Sequence, residues 1–273
     1  MTINCKGTLV DLSTPKVMGI LNITPDSFYD GGKYKNESEI LHQTEKMLTE
    51  GATFIDVGAY SSRPGAAHIS EDEELNRILP VIDLLIKEFP EILISVDTFR
   101  AKIASETVQR GASIINDISG GNMDEKMFST ISILNVPYIV MHMLGTPQNM
   151  QKNPVYKNVT QEVISFFAEK IFQLHQLKVN DIIIDVGFGF GKTIAHNFEL
   201  LQNLSLFKSL DAPILAGVSR KSMLYKTLDT SAKEALNATT SANTIALLNG
   251  ANILRVHDVK EAVEAVKIVE QVL

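Results

Sequence analysis

The 273-residue chain is poor in cysteine, in positive charge and in long apolar runs. Its single cysteine, Cys5, cannot form an intramolecular disulfide, so the sequence gives no sign of an oxidising compartment. The net charge of −7 argues against nucleic acid or an anionic membrane surface as the main partner. No apolar run approaches the roughly 20 residues that a membrane helix needs, and residues 1–14 lack the pattern of a secretory signal. We therefore expect a cytoplasmic protein that binds neither nucleic acid nor membrane.

Short, β-branched apolar runs alternate with longer amphipathic stretches along the chain. The runs are typical of strands buried on both faces of a parallel sheet, and the stretches between them have helical periodicity. Eight such units in about 250 residues indicate an α/β fold, a (β/α)₈ TIM barrel; an open doubly wound sheet is the alternative, but has no reason to stop at eight. The chain has no linker or charge block, so residues 1–273 are expected to form a single domain. The predicted strands are residues 17–21, 53–57, 93–96, 113–116, 138–141, 182–185, 214–217 and 253–256.

Local signals mark where the helices end and begin. Three Gly-Ala pairs, beginning at Gly51, Gly111 and Gly250, stand directly before predicted strands. Glycine suits the left-handed position that closes a helix, so each pair is predicted to end one helix. Two helix starts are predicted to be capping boxes, because Ser70 and Asp258 are each followed by a glutamate three residues later.

Polar residues stand at the end of every predicted strand, which in a TIM barrel is where the active site forms. Any one of them could cap the following helix instead, and for Asp56 or Asn116 alone that is the better interpretation. Eight together favour a site, and its chemistry has two halves: acceptors that suit a donor-rich ring such as an aminopyrimidine, and cations that suit phosphate or carboxylate. The strand-end residues are Asn22, Asp56, Asp97, Asn116, His142, Asp185, the run Ser219-Arg220-Lys221, and Arg255 with His257.

A glycine-rich stretch, DVGFGFGKT, follows the sixth predicted strand. A phosphate-binding loop needs four residues between its first glycine and the Gly-Lys pair, whereas Gly187 and Gly191 enclose three. The dinucleotide fingerprint also fails, because the spacing is G-x-G-x-G. We expect a flexible turn at the barrel mouth. The sequence also lacks a Ser-His-Asp set and the His/Cys spacing of a zinc site.

Eight motifs, in chain order and spread from the first predicted strand to the last, resemble those of dihydropteroate synthases. The segments NITPDSF (22–28) and SRKS (219–222) are the most specific. The other matching segments are SSRPGA (61–66), SVDT (95–98), NDISGG (116–121), MHMLGTP (141–147), DVGFGFGK (185–192) and RVHDV (255–259), and the first motif extends over residues 18–32.

The resemblance implies a reaction. Enzymes of this family join p-aminobenzoate to 7,8-dihydropterin-6-ylmethyl diphosphate, releasing diphosphate and forming 7,8-dihydropteroate for folate synthesis. It also implies dependence on Mg²⁺, a homodimer, and competitive inhibition by sulfonamides, which mimic p-aminobenzoate.

The resemblance assigns roles by position. The residues expected to be catalytic are Asp97, Asp185 and Lys221. Those expected to bind the pterin are Asp97, Asn116, Met141, Asp185 and Lys221. The diphosphate would be received by Asn22, Arg63, Arg255 and His257, with Mg²⁺ bridging its oxygens and Asn22 as a metal ligand. The p-aminobenzoate pocket would comprise Phe28, Ser62, Pro64, Phe190, Lys221 and Ser222.

Three positions depart from the family pattern without deleting a charge assigned to chemistry. Tyr60 stands where an acid is usual, Ser62 replaces threonine, and Val186 replaces proline. Two alternatives remain open. One is a related barrel that passes a methyl group from methyltetrahydrofolate to a corrinoid and needs no diphosphate site. The other is a paralogue that keeps the fold but has lost the activity.

Overall fold

The structure is a computed structural model that describes residues 1–23, 33–61, 68–151 and 153–272. Eight parallel strands close into a barrel in chain order, and the last pairs with the first to complete the ring. This confirms the predicted TIM barrel. The barrel strands are β3 (Lys16–Asn22), β4 (Phe54–Gly58), β5 (Ile94–Asp97), β6 (Ile114–Asp117), β7 (Tyr138–Met141), β8 (Ile182–Asp185), β9 (Ile214–Ala216) and β10 (Ile253–Val256).

Helices surround the barrel. In the described ranges they are α1 (Lys33–Thr49), α2 (Glu71–Glu88), α3 (Ala101–Gln109), α4 (Met127–Leu134), α5 (Val159–Gln176), α6 (Ile194–Gln202), α7 (Ser222–Thr227), α8 (Leu236–Leu248) and α9 (Val259–Val269). Two 3₁₀ helices, Leu204–Leu210 and Ala232–Glu234, lie in the connections on either side of β9 and α7. No helix of this described part is long and apolar enough to cross a membrane.

The strands are buried on both faces, as their composition predicts. On β8, Ile182 and Ile184 pack in the large cluster between strands and helices, whereas Ile183 packs in a second cluster. Successive side chains of a strand point to opposite faces, so the second cluster fills the barrel interior. Two residues further along the same face comes Asp185. The barrel interior therefore changes from apolar to polar between two successive inward residues of the strand.

A hairpin that the sequence analysis did not predict closes the far end of the barrel. Its strands are β1 (Thr2–Cys5) and β2 (Thr8–Asp11), joined through Lys6 and Gly7, which both have positive φ (52° and 94°) as in a type I′ turn. The hairpin and the residue after it bring four buried side chains against the lower barrel interior. These are Ile3, Cys5, Val10 and Leu12; burial raises the pKa of the Cys5 thiol to about 12.

The three Gly-Ala pairs end helices as predicted. Gly51 has a φ of 102°, its N–H donates to Leu48 O at 3.0 Å, and the N–H of Ala52 donates to Met47 O at 2.9 Å. The pairs beginning at Gly111 and Gly250 repeat both bonds at the same spacings. This is the Schellman arrangement, and it places the next strand directly after the helix.

The two predicted capping boxes have different outcomes. Ser70 Oγ accepts from Glu73 N at 3.1 Å, so Ser70 does cap α2. The prediction for Asp258 is wrong, because its carboxylate makes no cap hydrogen bond. It accepts instead from Nε and Nη2 of Arg220, both at 2.8 Å. A bidentate arginine pair is stronger than a cap, and it fixes the loop after β9 to the loop after β10.

Candidate active site

Four polar side chains from different strands meet inside the carboxyl end of the barrel. Arg255 on β10 donates from Nε to Asp56 Oδ2 at 2.7 Å and from Nη2 to Asp97 Oδ2 at 3.0 Å. Asn116 on β6 donates from Nδ2 to the same oxygen of Asp56 at 3.1 Å. We call these four residues the acid–arginine cluster. Asp56 and Asn116 lie within strands and point into this cluster, so the helix-cap interpretation is wrong for both.

The acid–arginine cluster keeps two buried acceptors without a partner. Asp56 Oδ1 and Asn116 Oδ1 are buried and accept no hydrogen bond from any described residue. Each such unpaired group costs about 1–3 kcal/mol. Two of them side by side at a barrel mouth are an arrangement that a ligand with N–H donors would satisfy.

Burial shifts the pKa of three charged groups at the mouth towards their neutral forms. It raises the pKa of both Asp97 and Asp185, and the main opposing charges are Arg255 for Asp97 and Lys221 for Asp185. It lowers the pKa of Lys221 to about 8, although Asp185 favours the charged amine. Perturbed pKa values that share one cause and one place are typical of a functional site.

Lys221 forms the second half of the site together with the loop after β8. Its Nζ donates to Phe188 O and lies 4.8 Å from the ring centroid of Phe190, which is half-buried. Asp185 ends β8 and accepts from the N–H of Gly187 at 2.8 Å. This half therefore offers a cation, a carboxylate and an aromatic face.

Gly217 separates the two halves. A Cβ at this position would stand 3.8 Å from Asp185 Oδ2 and 3.9 Å from Arg255 Cβ. The absence of a side chain thus leaves the acid–arginine cluster and Asp185 facing a shared space.

An apolar cluster lies beside these polar groups and includes two positions of special interest. Met141 is 3% exposed and packs in it, with Phe190 at its edge. Tyr60, which replaces the usual acid, packs edge-on against Phe99 and accepts from Gln148 Nε2 at 3.2 Å. Tyr60 therefore joins the end of β4 to the loop after β7. Of the other two departures, Val186 is fully buried in the core, and Ser62 lies outside the described residues.

Asn22 and His257 lie at the rim. Asn22 ends β3, and its side-chain oxygen is 3.8 Å from where a Cβ on Gly58 would stand. His257 is exposed, and its Nδ1 lies 3.0 Å from Ser219 Oγ. Among the residues described, no group of three or more His, Cys, Asp or Glu could hold a metal unaided. A magnesium ion held mainly by phosphate oxygens needs few protein ligands, so Asn22 fits such an ion.

Two strand-end residues have structural rather than ligand-facing positions. Arg220 makes the bidentate pair with Asp258 described above. His142 is 7% exposed, its ring packs on Phe166, and its Nδ1 accepts from Lys192 at 2.9 Å. Lys192 was missed as a candidate, although its place at the end of the glycine-rich stretch was a signal.

Ser222 is the first residue of α7 and is half-buried beside Lys221. The remaining candidates, Phe28, Ser62, Arg63 and Pro64, lie outside the described residues, and their assignments stay predictions.

Comparison with known proteins now decides the family. The model for pterin-binding enzymes matches residues 18–257. The dihydropteroate synthase of Escherichia coli K12 is 42% identical over 275 aligned positions, covering 100% of this chain and 97% of that protein. The chain belongs to the dihydropteroate synthase family.

Solved structures agree. The dihydropteroate synthase of Yersinia pestis, in a sulfonamide drug complex, matches with a TM-score of 0.93 at 42% identity, covering 100% of this chain and 99% of that one. The enzyme of Xanthomonas albilineans, in complex with 7,8-dihydropteroate, matches with a TM-score of 0.89 at 33% identity, covering 100% and 98%. The activity of the chain is therefore that expected from its motifs, the condensation of a pterin diphosphate with p-aminobenzoate in folate biosynthesis.

Proposed function

We propose that the acid–arginine cluster, Asp185 and Lys221 bind the pterin and stabilise the charge that develops on it. The observation that carries this proposal is the pair of unpartnered buried acceptors, Asp56 Oδ1 and Asn116 Oδ1. An aminopyrimidine ring carries the N–H donors that these oxygens lack. Met141, buried at the mouth, contributes an apolar contact to the ring face.

The diphosphate end is assigned to Arg255, His257, Asn22 and Arg63. Arg255 uses Nε and Nη2 on the two carboxylates, which leaves Nη1 for a phosphate oxygen. When bound, Mg²⁺ would neutralise charge on the leaving diphosphate, with the side-chain oxygen of Asn22 as its protein ligand.

The amine end is assigned to Phe190, Lys221 and Ser222, together with Phe28, Ser62 and Pro64. Phe190 would pack against the ring of p-aminobenzoate, and Ser222 would donate to its carboxylate. The relative from X. albilineans was solved with 7,8-dihydropteroate, which contains both the pterin and this ring. The relative from Y. pestis was solved in complex with a sulfonamide drug, and we expect sulfonamides to bind this chain in the place assigned to p-aminobenzoate.

The chemistry proposed for these residues is dissociative. The carbon–oxygen bond breaks first, and its electron pair leaves with the diphosphate. The carboxylates of Asp97 and Asp185 stabilise the resulting pterin cation. The aromatic amine then forms the new carbon–nitrogen bond and loses a proton to solvent. Preorganised charges suit this step better than a nucleophile would.

Purified protein supplied with Mg²⁺, pterin diphosphate and p-aminobenzoate should release diphosphate and form dihydropteroate in equal amounts. Omitting p-aminobenzoate is the matched control for simple hydrolysis. Diphosphate release no greater than in a blank would favour the inactive paralogue.

Light scattering would test the proposed homodimer, since a monomer at assay concentration would contradict it.

The division of the site can be tested separately. Phe28→Ala should spare pterin binding in calorimetry and raise the KM for p-aminobenzoate, because only the second substrate is expected to contact this ring. Equal loss of both ligands would refute the division.

A further inference from the structure

Lys192 is a buried cation whose partners are all neutral. Only 3% of the residue is exposed, and its Nζ lies within hydrogen-bond distance of four acceptors. They are His142 Nδ1 at 2.9 Å, Gly187 O at 3.0 Å, Phe190 O at 3.0 Å and His142 O at 3.2 Å. A buried ammonium without a carboxylate in contact is costly, and burial lowers the pKa of Lys192 to about 7. Its presence calls for a role other than stability.

The loop that Lys192 reaches is fixed through its main-chain oxygens. All five carbonyls from residue 187 to residue 191 accept a hydrogen bond from a side chain. Lys192 Nζ donates to the carbonyl oxygens of Gly187 and Phe190, and Lys221 Nζ donates to that of Phe188. Gln151 Nε2 donates to Gly189 O at 2.5 Å, and Tyr156 Oη donates to Gly191 O at 2.8 Å. The expected flexible turn is thus tied to its neighbours at every residue, and Lys192 is the donor that holds two carbonyls at once.

The same loop lies in backbone contact with the segment after β7. A Cβ at Gly187 would stand 2.0 Å from His142 O, and one at Gly191 would stand 2.5 Å from Leu144 O. Both glycines also have positive φ, at 68° and 64°. Glycine is required here for close approach, and the amine of Lys192 joins the two segments across this contact.

Two groups of the proposed site contact this loop. Phe190 lies between the two lysines, with its carbonyl bound by Lys192 and its ring facing the amine of Lys221. Asp185 receives its hydrogen bond from Gly187 N, while the carbonyl of Gly187 is bound by Lys192. Releasing Lys192 would therefore free both ends of the segment that presents Phe190. Asp185 is the last residue of β8, so it and the pterin contacts on β4, β5 and β6 would stay in place.

We propose that Lys192 is a positioning residue for the aromatic amine. By binding the carbonyls of Gly187 and Phe190 to the end of β7, it holds the ring of Phe190 at the distance from Lys221 that p-aminobenzoate must fit. The inference rests on the proposed division of the site. It assigns His142 as the neutral acceptor for Lys192, and burial together with the Lys192 charge lowers the pKa of His142 to about 2.

The test compares Lys192→Met with Lys267→Met, a change of an exposed lysine on α9. The first should raise the KM for p-aminobenzoate about 10- to 100-fold, since small misplacements of substrate-contacting groups have effects of that order. Binding of 6-hydroxymethyl-7,8-dihydropterin, measured by calorimetry, should change less than about threefold, whereas binding of 7,8-dihydropteroate should weaken about tenfold. Lys267→Met should match the wild type throughout.

Two readouts separate positioning from a general structural role. Replacing the buried ammonium by an apolar side chain of similar length removes a desolvated charge but leaves its acceptors without their donor. Because these two effects oppose each other, the melting temperature should change little. Hydrogen exchange should nevertheless accelerate in residues 187–191 and not in the hairpin of β1 and β2. An unchanged KM for p-aminobenzoate, or equal weakening of the pterin and of dihydropteroate, would overturn the inference.

The binding and exchange measurements need no catalysis, so they separate this inference from the proposed function. Absence of turnover in the wild type would refute the proposed function. The affinities of Lys192→Met for 7,8-dihydropteroate and for the pterin alone could still be compared, so the role of Lys192 would still be tested. If Lys192→Met failed to fold, Lys192→Arg would carry the test, because arginine keeps donors but not the compact ammonium. Lys192→Arg should raise the KM for p-aminobenzoate and weaken binding of 7,8-dihydropteroate by smaller factors than Lys192→Met. If both quantities equalled those of the wild type, the inference would be overturned.

Discussion

The two ends of the barrel are built from the same strands but have opposite chemistry. On β4, β6 and β8, one inward residue is apolar and belongs to the second cluster, which fills the lower barrel interior. The next inward residue on each of these strands is an acid or an amide. The lower end is closed by the hairpin and its buried side chains. The upper end holds two unpaired acceptors and three charged groups whose pKa values burial shifts towards neutrality. The inward pairs are Phe54 with Asp56, Ile114 with Asn116, and Ile183 with Asp185.

On each of these strands, a residue that stabilises the fold and a residue assigned to function are therefore only two positions apart. Apolar burial at the lower end stabilises the fold. The mouth carries unpaired acceptors and desolvated charges, and their burial opposes folding. Changes at the mouth should therefore reduce activity without loss of stability, and changes at the lower end should do the reverse.

The largest expected effect is that of Asp185→Asn. Removing one preorganised charge that favours the pterin cation should lower kcat about 10²- to 10³-fold. The free energy of unfolding in urea should stay unchanged or rise, because burial raises the pKa of Asp185 and a neutral amide is less costly there. Asp229→Asn, at an exposed position, is the control. A large loss of stability in Asp185→Asn would contradict the contrast between the ends.

Leu12→Ala should have the next largest effect, on stability alone. Leu12 is fully buried below the barrel, and truncating such a leucine costs about 2–5 kcal/mol of unfolding free energy. At a temperature where the variant is folded, kcat and both KM values should equal those of the wild type. The matched control is Leu9→Ala on the same hairpin, where the side chain is exposed. A kinetic defect in folded Leu12→Ala would show that the two ends are coupled.

The smallest effect is that of pH on Lys221, and it has opposite signs for binding and for stability. Its pKa is about 8 in the folded protein against an ordinary value of 10.5, so between these values the unfolded chain binds more protons. The free energy of unfolding should therefore rise with pH across that window. Pterin binding, which needs the protonated amine, should fall about tenfold for each unit above pH 8.

Lys221→Met is the reference for this measurement, because the titration of the ligand itself is the same in both proteins. The pH-dependent fall in pterin affinity should be absent from the variant. An identical fall in both proteins would assign the titration to another group.

The sequence predicted the barrel because continuous β-branched runs, the helical periodicity between them and the Gly-Ala helix ends are local signals. It also predicted that strand-end residues such as Asp56, Asn116 and Arg255 come together at the mouth, since strand ends converge in any such barrel. For His142 and Arg220, which have structural partners instead, the expectation was wrong. It did not predict the hairpin, whose strands are four residues each and are stabilised by the barrel they close. It misassigned Asp258, whose cap role was displaced by a distant arginine. The single-domain organisation, the cytoplasmic location and the Mg²⁺ dependence remain predictions.

By itself, then, the sequence determined the order of the strands, the polar residue at each strand end and the family to which those residues belong. The tertiary structure decided which charges pair. Arg255 binds Asp56 from 199 positions away, and Lys192 binds His142 from 50 positions away. Such partners depend on barrel closure, which brings distant strand ends within hydrogen-bond distance, and no local pattern in the chain specifies which donor reaches which acceptor.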